Sequence, residues 1–221
     1  DADGGGMICC SFRGEANQYL NNTNRNLFSD NMSYDAALWW KYASEQFGAY
    51  APEPNLGTDF IVRMFANAAD EPSSADLDDL VNSTIRETHP DSSLDEAFHD
   101  FTIANVAKEF DASGLDDAIK YIYLDEQDGV SPQFGDVNRA WDGSISDSSP
   151  KLGASSLVSW GAEYFEADIS ACPGGIAGYQ AEGDEAAHGL LVVLDDGTVS
   201  RLLKGVSDDF ARAIIVSKEG R

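Results

Sequence analysis

Positive charge is what this sequence has least of. Its 221 residues hold 14 Lys plus Arg against 39 Asp plus Glu, a formal net charge of −25. No basic stripe is present to meet a polyanion, so ordinary nucleic-acid binding is excluded. No apolar run approaches the roughly 18 residues of a helical membrane span, so no span is expected. Histidine is also scarce. His89, His99 and His188 make no His-Glu-x-x-His pair, so no hydrolytic zinc can be placed in this chain. Gly-x-Ser-x-Gly is absent, which removes the nucleophile elbow. Gly4-Gly5-Gly6 and Gly174-Gly175 lack the strand–loop–helix setting of a phosphate cradle, and the acidic surround opposes an anion.

What is present is enough to fold. Hydrophobic residues make up 43% of the chain and aromatics 10%, which supports a packed core in one large domain or two small ones. Asp outnumbers Glu by 26 to 13, and Lys occurs six times. A surface of this kind resists salting out and suits a high-salt or marine setting; the alternative is an ordinary acidic secreted protein or one loaded with Ca²⁺. The chain opens Asp1-Ala-Asp-Gly-Gly-Gly, without a signal-peptide pattern, so the numbering is expected to start inside a longer precursor.

Three cysteines occur, Cys9, Cys10 and Cys172, with no Cys-x-x-Cys or Cys/His cluster. Adjacent cysteines rarely bond each other, because the linkage strains the peptide between them. The expected bridge therefore joins Cys172 to Cys9 or Cys10 and staples the N-terminal arm to the C-terminal part; the alternative is three buried, reduced thiols. Sequons begin at Asn21, Asn31 and Asn82, against roughly one expected by chance. They agree with an extracellular or cell-surface location and with glycosylation.

The expected fold is α+β: an N-terminal all-helical bundle of about five helices, then a small antiparallel β-sandwich. The division is an arm over 1–30, a helical domain over 31–130, a linker over 131–155 and the sandwich over 156–221. Ser33 can cap a helix through Leu38, Trp39, Tyr42, Ala43 and Phe47 that stops at Gly48. Thr58 can cap a second, through Phe60, Ile61, Met64 and Phe65. A third follows Ser74, with Leu77, Leu80, Val81 and Ile85 on one face, and ends by His89-Pro90. Ser93-Leu-Asp-Glu96 has capping-box spacing and starts a fourth helix that ends near Gly114. A short fifth covers Asp116 to Leu124. Beyond 155 the period changes to two, with strands expected over Ser156–Trp160, Tyr164–Ile169, Gly189–Leu194, Thr198–Leu203 and Ala211–Ser217. Asp195-Asp196-Gly197 is a hairpin signal.

Individual side chains give little chemistry. Glu96 and His99 share a helix face, but one copy of that spacing reads as a half-exposed helix histidine. His89 sits at a helix end, a capping position. Asp125 and Asp128, beside Gly129, can hold Ca²⁺ in a loop without EF-hand spacing; the alternative is a solvated turn. Trp39 and Trp40 point about 100° apart on a helix, so one belongs to the core and the other covers neighbouring surface. No catalytic residue and no metal ligand other than this weak Ca²⁺ pair is assigned.

Tyr34-Asp-Ala-Ala-Leu-Trp-Trp-Lys-Tyr-Ala-Ser-Glu-Gln-Phe-Gly48 resembles a helix of secreted gluzincin-like zinc metallopeptidases of bacteria and archaea. Ser93-Leu-Asp-Glu-Ala-Phe-His-Asp-Phe-Thr-Ile-Ala-Asn105 is similar to a later helix of the same domain. Leu157-Val-Ser-Trp-Gly-Ala-Glu-Tyr-Phe165 and Ala211-Arg-Ala-Ile-Ile-Val-Ser217 resemble the first and last strands of the sandwich that closes many such chains. The resemblance covers most of residues 30 to 217, in order. In that family the His-Glu-x-x-His helix precedes the first of these segments; here the residues before Tyr34 contain no histidine. The resemblance therefore implies a C-terminal part without its zinc site, and no catalytic residue is carried over.

The expected function is a non-catalytic C-terminal region of an extracellular metallopeptidase-like protein, a scaffold and substrate- or surface-binding module. Zinc would belong only to an upstream segment, and partners would be that segment or a protein or surface ligand. The alternative is an extracellular structural or self-assembling surface protein, a possible homo-oligomer. The charge balance makes one direct prediction. Repulsion among carboxylates is screened within about 3 Å at 1 M salt, so the melting temperature rises between dilute buffer and about 1 M KCl. A scan of Tm against KCl that stays flat or falls contradicts salt adaptation.

Overall fold

Aromatic side chains at helical spacing organise the first half of the molecule. The computed structural model describes residues 14–29, 36–48, 58–70, 76–123, 134–144, 158–168, 187–194 and 196–206. In chain order these form a helix over 14–20 (α1), then α2 Ala37–Phe47, α3 Thr58–Asp70, α4 Leu77–Thr88 and α5 Leu94–Ala107. A single 3₁₀ turn, Ala118–Tyr121, is followed by β1 Trp141–Ser144, β2 Phe165–Asp168, β3 Ala187–Val193 and β4 Val199–Val206. The class is α+β, as the change of period implies.

α2 buries Leu38, Trp39, Tyr42, Ala43 and Phe47, the face that its spacing defines. Trp39 is fully buried and meets Phe101 edge-on at 5.4 Å, while Trp40 is half-buried and covers Phe28. The helix stops at Gly48, which is extended at φ −65° rather than left-handed. α4 starts after Asp76 and is closed by His89, as the His-Pro signal suggests.

α5 is the centre of the fold. The capping box is made as its spacing requires: Glu96 N donates to Ser93 Oγ (3.2 Å), and Ser93 N donates to Glu96 Oε2 (3.1 Å). The Leu94 N–H, a further free donor of the first turn, donates to Asn82 Oδ1 of α4 at 2.9 Å. Ala97, Phe98, Phe101 and Ala104 join the aromatic cluster with Tyr19, Leu20, Trp39, Tyr42 and Tyr123. Ile103 and Ala107 join a second cluster with Ala112, Tyr121 and Val199, against which Leu191, Val193 and Leu202 pack. A helix apolar on both sides is a buried helix.

The second cluster docks the hairpin. β3 and β4 pair antiparallel, with Leu190 opposite Leu203 and an irregularity at Val192/Val193. Gly197 takes φ +84° in the turn, a conformation that favours glycine, so the Asp-Gly signal is met. A Cβ on Gly189 would lie 3.3 Å from Ile103 Cγ1, so β3 approaches α5 closely there. Lys204 donates to Asp100 Oδ1 of α5 at 2.5 Å and lies over the Tyr121 ring.

Several expectations are corrected. Among the described residues the strands form two two-stranded sheets, β1–β2 and β3–β4, and not a sandwich; β1 and β2 run parallel, with Trp141 opposite Phe165. Within the expected strand 156–160, the described part 158–160 is a turn. Val158 N donates to Asn24 Oδ1 and, just beyond the turn, Ala162 N donates to Thr23 O, so the 21–25 loop and not a ladder takes these backbone groups. The fourth helix ends at Ala107, because Glu109 N and Phe110 N bond three residues back and Asp111 bridges to Thr198. The fifth is only the 3₁₀ turn. α1 was not expected at all, although Ala16, Tyr19 and Leu20 are fully buried. The stretch 134–139 is tied to the helices: Asn138 N donates to Leu20 O, Gly135 N to Asn17 Oδ1 and Val137 N to Glu109 Oε1. The expected strand Ala211–Ser217 lies outside the described residues.

Two substitutions grade these contacts. Trp39→Ala removes the largest fully buried side chain among the described residues and is expected to cost about 3–5 kcal/mol. Ser93→Ala breaks the capping box and costs about 1 kcal/mol. Urea unfolding at constant salt measures both, and equal losses contradict this ranking.

Candidate functional site

The turn after α5, the 134–139 stretch and the β3–β4 turn meet around an open cleft of about 380 Å³. It is lined by Lys108, Glu109, Phe110, Asp111, Phe134, Asp136, Asp196 and Gly197. Two short local motifs shape its mouth. Asp111 Oδ1 accepts from Ser113 N (3.1 Å) and Ser113 Oγ (2.6 Å), and Asp196 Oδ1 accepts from Thr198 N (2.9 Å). Backbone bonds then set the two turns side by side: Asp111 N donates to Gly197 O at 3.0 Å, and Val199 N to Asp111 O at 2.7 Å.

These bonds hold both carboxyls below the usual carboxylate range. The Ser113 hydroxyl, then the Ser113 amide, lowers Asp111; the Thr198 amide lowers Asp196. The cation that lines the cleft, Lys108, is engaged inward, and the lining carboxylate Glu109 is held from behind by Arg139. Lys108 Nζ donates to Gly135 O at 2.6 Å. Arg139 grips Glu109 through Nη1 (3.0 Å) and Nη2 (2.5 Å) and reaches Glu166 of β2 through Nε (3.1 Å). Hydrogen bonding to Glu109 raises the Arg139 pKa further. Asp111, Asp136 and Asp196 are exposed around the rim. The arrangement lines the cleft with negative charge and two half-buried phenyl rings, Phe110 and Phe134. It attracts cationic groups, but carboxylates held ionised by turn amides are weak bases for proton abstraction.

The residues singled out in the sequence do not converge on this cleft. Glu96 engages its carboxylate in the capping box, away from any joint role with His99, which is half-buried on α5 beside Gly189 of β3. His89 Nδ1 lies 2.9 Å from Thr88 Oγ1 and its ring meets Phe47 edge-on; burial lowers its pKa, so the neutral form is favoured at the end of α4. The His188 side chain, Asp125, Asp128, Asn31 and all three cysteines lie outside the described residues. Asn21 is exposed beside Thr23, whose buried hydroxyl donates to Ala162 O at 2.7 Å. Asn82 is half-buried in α4 and holds the start of α5. Among the described residues no three His, Cys, Asp or Glu side chains are grouped to hold a metal ion, so zinc finds no fitting donor set there.

Sequence reasoning missed Asp111, Asp136 and Asp196. The one available signal was local: Asp-x-Ser at 111–113 and Asp-x-Thr at 196–198 are side-chain-to-backbone turn patterns. Their folded pKa values lie below the unfolded ones. Their stabilising contribution is therefore present above about pH 4 and is lost as pH falls through the folded values. In a carboxyl-detected NMR titration both are expected to titrate below the ordinary Asp range, and Ser113→Ala should move Asp111 upward while leaving Asp196 in place. An unmoved Asp111 contradicts the assignment of cause. No protein-family model, curated protein or solved structure matches the chain.

Proposed function

We propose that this chain is a non-catalytic scaffold and binding module of an extracellular metallopeptidase-like protein. One observation carries the reading: scarce cations cross-link distant segments of the chain and leave acidic groups facing outward. Lys204 joins β4 to Asp100 of α5, and Arg139 joins Glu109, after α5, to Glu166 of β2. Such pairs hold a surface in shape; they do not activate a nucleophile. The acidic cleft is the contact face that this frame holds, suited to a cationic part of a partner or substrate chain. Any hydrolytic zinc would belong to another segment of the parent protein.

The test uses the full chain in molar KCl. No stoichiometric zinc after dialysis against zinc and no cleavage of casein are expected. Peptide hydrolysis that a chelator abolishes overturns the proposal. Arg139→Met should lower stability by about 3 kcal/mol, since it leaves Glu109 mostly buried without its guanidinium. A neutral effect contradicts the scaffold role of that cross-link.

A further inference from the structure

The outward face of α3 is unlike the rest of this acidic chain. Val62 and Phe65 are 67% and 66% exposed, more than any other large apolar side chain among the described residues. With exposed Ala66 and Ala69 they make an i, i+3, i+4, i+7 stripe. The helix is held from its other side. Phe60 and Met64 are buried, and Asn67 Nδ2 donates to Thr84 Oγ1 (3.1 Å) and Glu87 Oε1 (2.8 Å) of α4. A helix that is apolar on both sides ordinarily has both sides covered.

Charge and area indicate what covers this one. α3 and α4, with the Asp76 N-cap, carry Asp59, Asp70, Asp76, Asp78, Asp79 and Glu87 against Arg63 and Arg86. Arg63 is itself drawn to Asp59, at 3.4 Å. A second copy of the chain is a poor fit. Each copy carries a net charge of −25, and two turns of helix bury far less than the roughly 800 Å² per partner of a stable interface. A slender partner of opposite charge suits both facts. We infer that the outer face of α3 is a docking surface for a cationic amphipathic helix, whose apolar side packs on Val62 and Phe65 and whose Lys or Arg side chains meet the carboxylates of α3 and the start of α4. This surface is separate from the cleft and does not depend on the reading given for it.

The probe is a fluorescent amphipathic Leu/Lys peptide of about fourteen residues, four turns of helix. Its control is a scrambled isomer of the same composition and charge. Anisotropy in about 0.15 M KCl is expected to show binding about tenfold tighter than the isomer, weakening in about 1 M KCl. Val62→Ser with Phe65→Ser leaves the protein's charge unchanged, so a loss of about tenfold or more reads the apolar contact alone. Asp70→Asn with Asp78→Asn should weaken binding by a smaller factor. NMR amide shifts on the unmodified chain locate the peptide without relying on the variants' folding, and they should centre on Thr58–Asp70. Equal affinity for the scrambled isomer, no loss in the double serine variant, or shifts centred away from α3 overturns the inference. So does a dimer in sedimentation that Phe65→Ser dissolves, because the occupant is then a second copy.

Discussion

Burying one helix on two opposite sides is the constraint from which the rest of the described structure follows. α5 sends Phe98 and Phe101 into the aromatic cluster of the helices, and Ile103 and Ala107 under the hairpin. Each large apolar side chain fully removed from water contributes about 1.5–3 kcal/mol, so the two faces together dominate the packing. The cost is that polar groups on α5 are buried too. Asp100 and Asn105 are 8% and 0% exposed. Each meets a partner brought from far along the chain: Lys204 for Asp100, and the Tyr123 hydroxyl, donating at 2.6 Å, for Asn105. The helix therefore needs the later chain for its polar groups as much as for its apolar ones.

Tyrosine hydroxyls extend the same pattern. Tyr42 donates to Lys120 O and Tyr164 to Thr102 O, tying the 3₁₀ turn and the β2 segment to the helices. Burial pushes the phenols of Tyr42, Tyr123 and Tyr164 above the usual tyrosine range, which favours the protonated, donating form. With so few lysines and arginines, each cation at the junction has a structural use, and the acidic excess is left to the surface. The described part of the molecule thus combines an aromatic interior, whose few charges such as Glu45 and Asp100 are ion-paired, with an acidic exterior interrupted along the outer side of α3.

Some signals are legible because the interaction itself is local, but not every cap is: Ser33 is expected to cap the first predicted helix, whereas α2 starts after Ala36 with no side-chain cap. The Ser93/Glu96 capping box, the Asp-Gly turn and the division of labour between Trp39 and Trp40 all lie within a few residues of sequence, and the structure has each of them. Signals that only tertiary contact completes were not legible. The segment 14–20 is too short to announce a helix, and is held by Tyr19 stacking on Phe101 and by Leu20 O accepting from Asn138 N. Residues 158–160 alternate like a strand, yet Asn24 and Thr23 take the neighbouring backbone groups. β1, four residues rich in polar and small side chains, has no pattern of its own and exists by pairing with β2.

Composition and periodicity determined that this chain is α+β, strongly acidic and without the histidine pairing that a zinc hydrolase needs. Those are properties of residue type and short spacing, which the chain carries before it folds. Only the tertiary structure decided which carboxylates face each other. Asp111 and Asp196 are 85 positions apart in sequence and become neighbours through a single β-bridge beside them. No periodicity encodes such a pairing, because it results from a helix ending at Ala107 and a hairpin docking on that helix. The physical reason is general: spacing along the chain specifies faces, and packing chooses which faces meet.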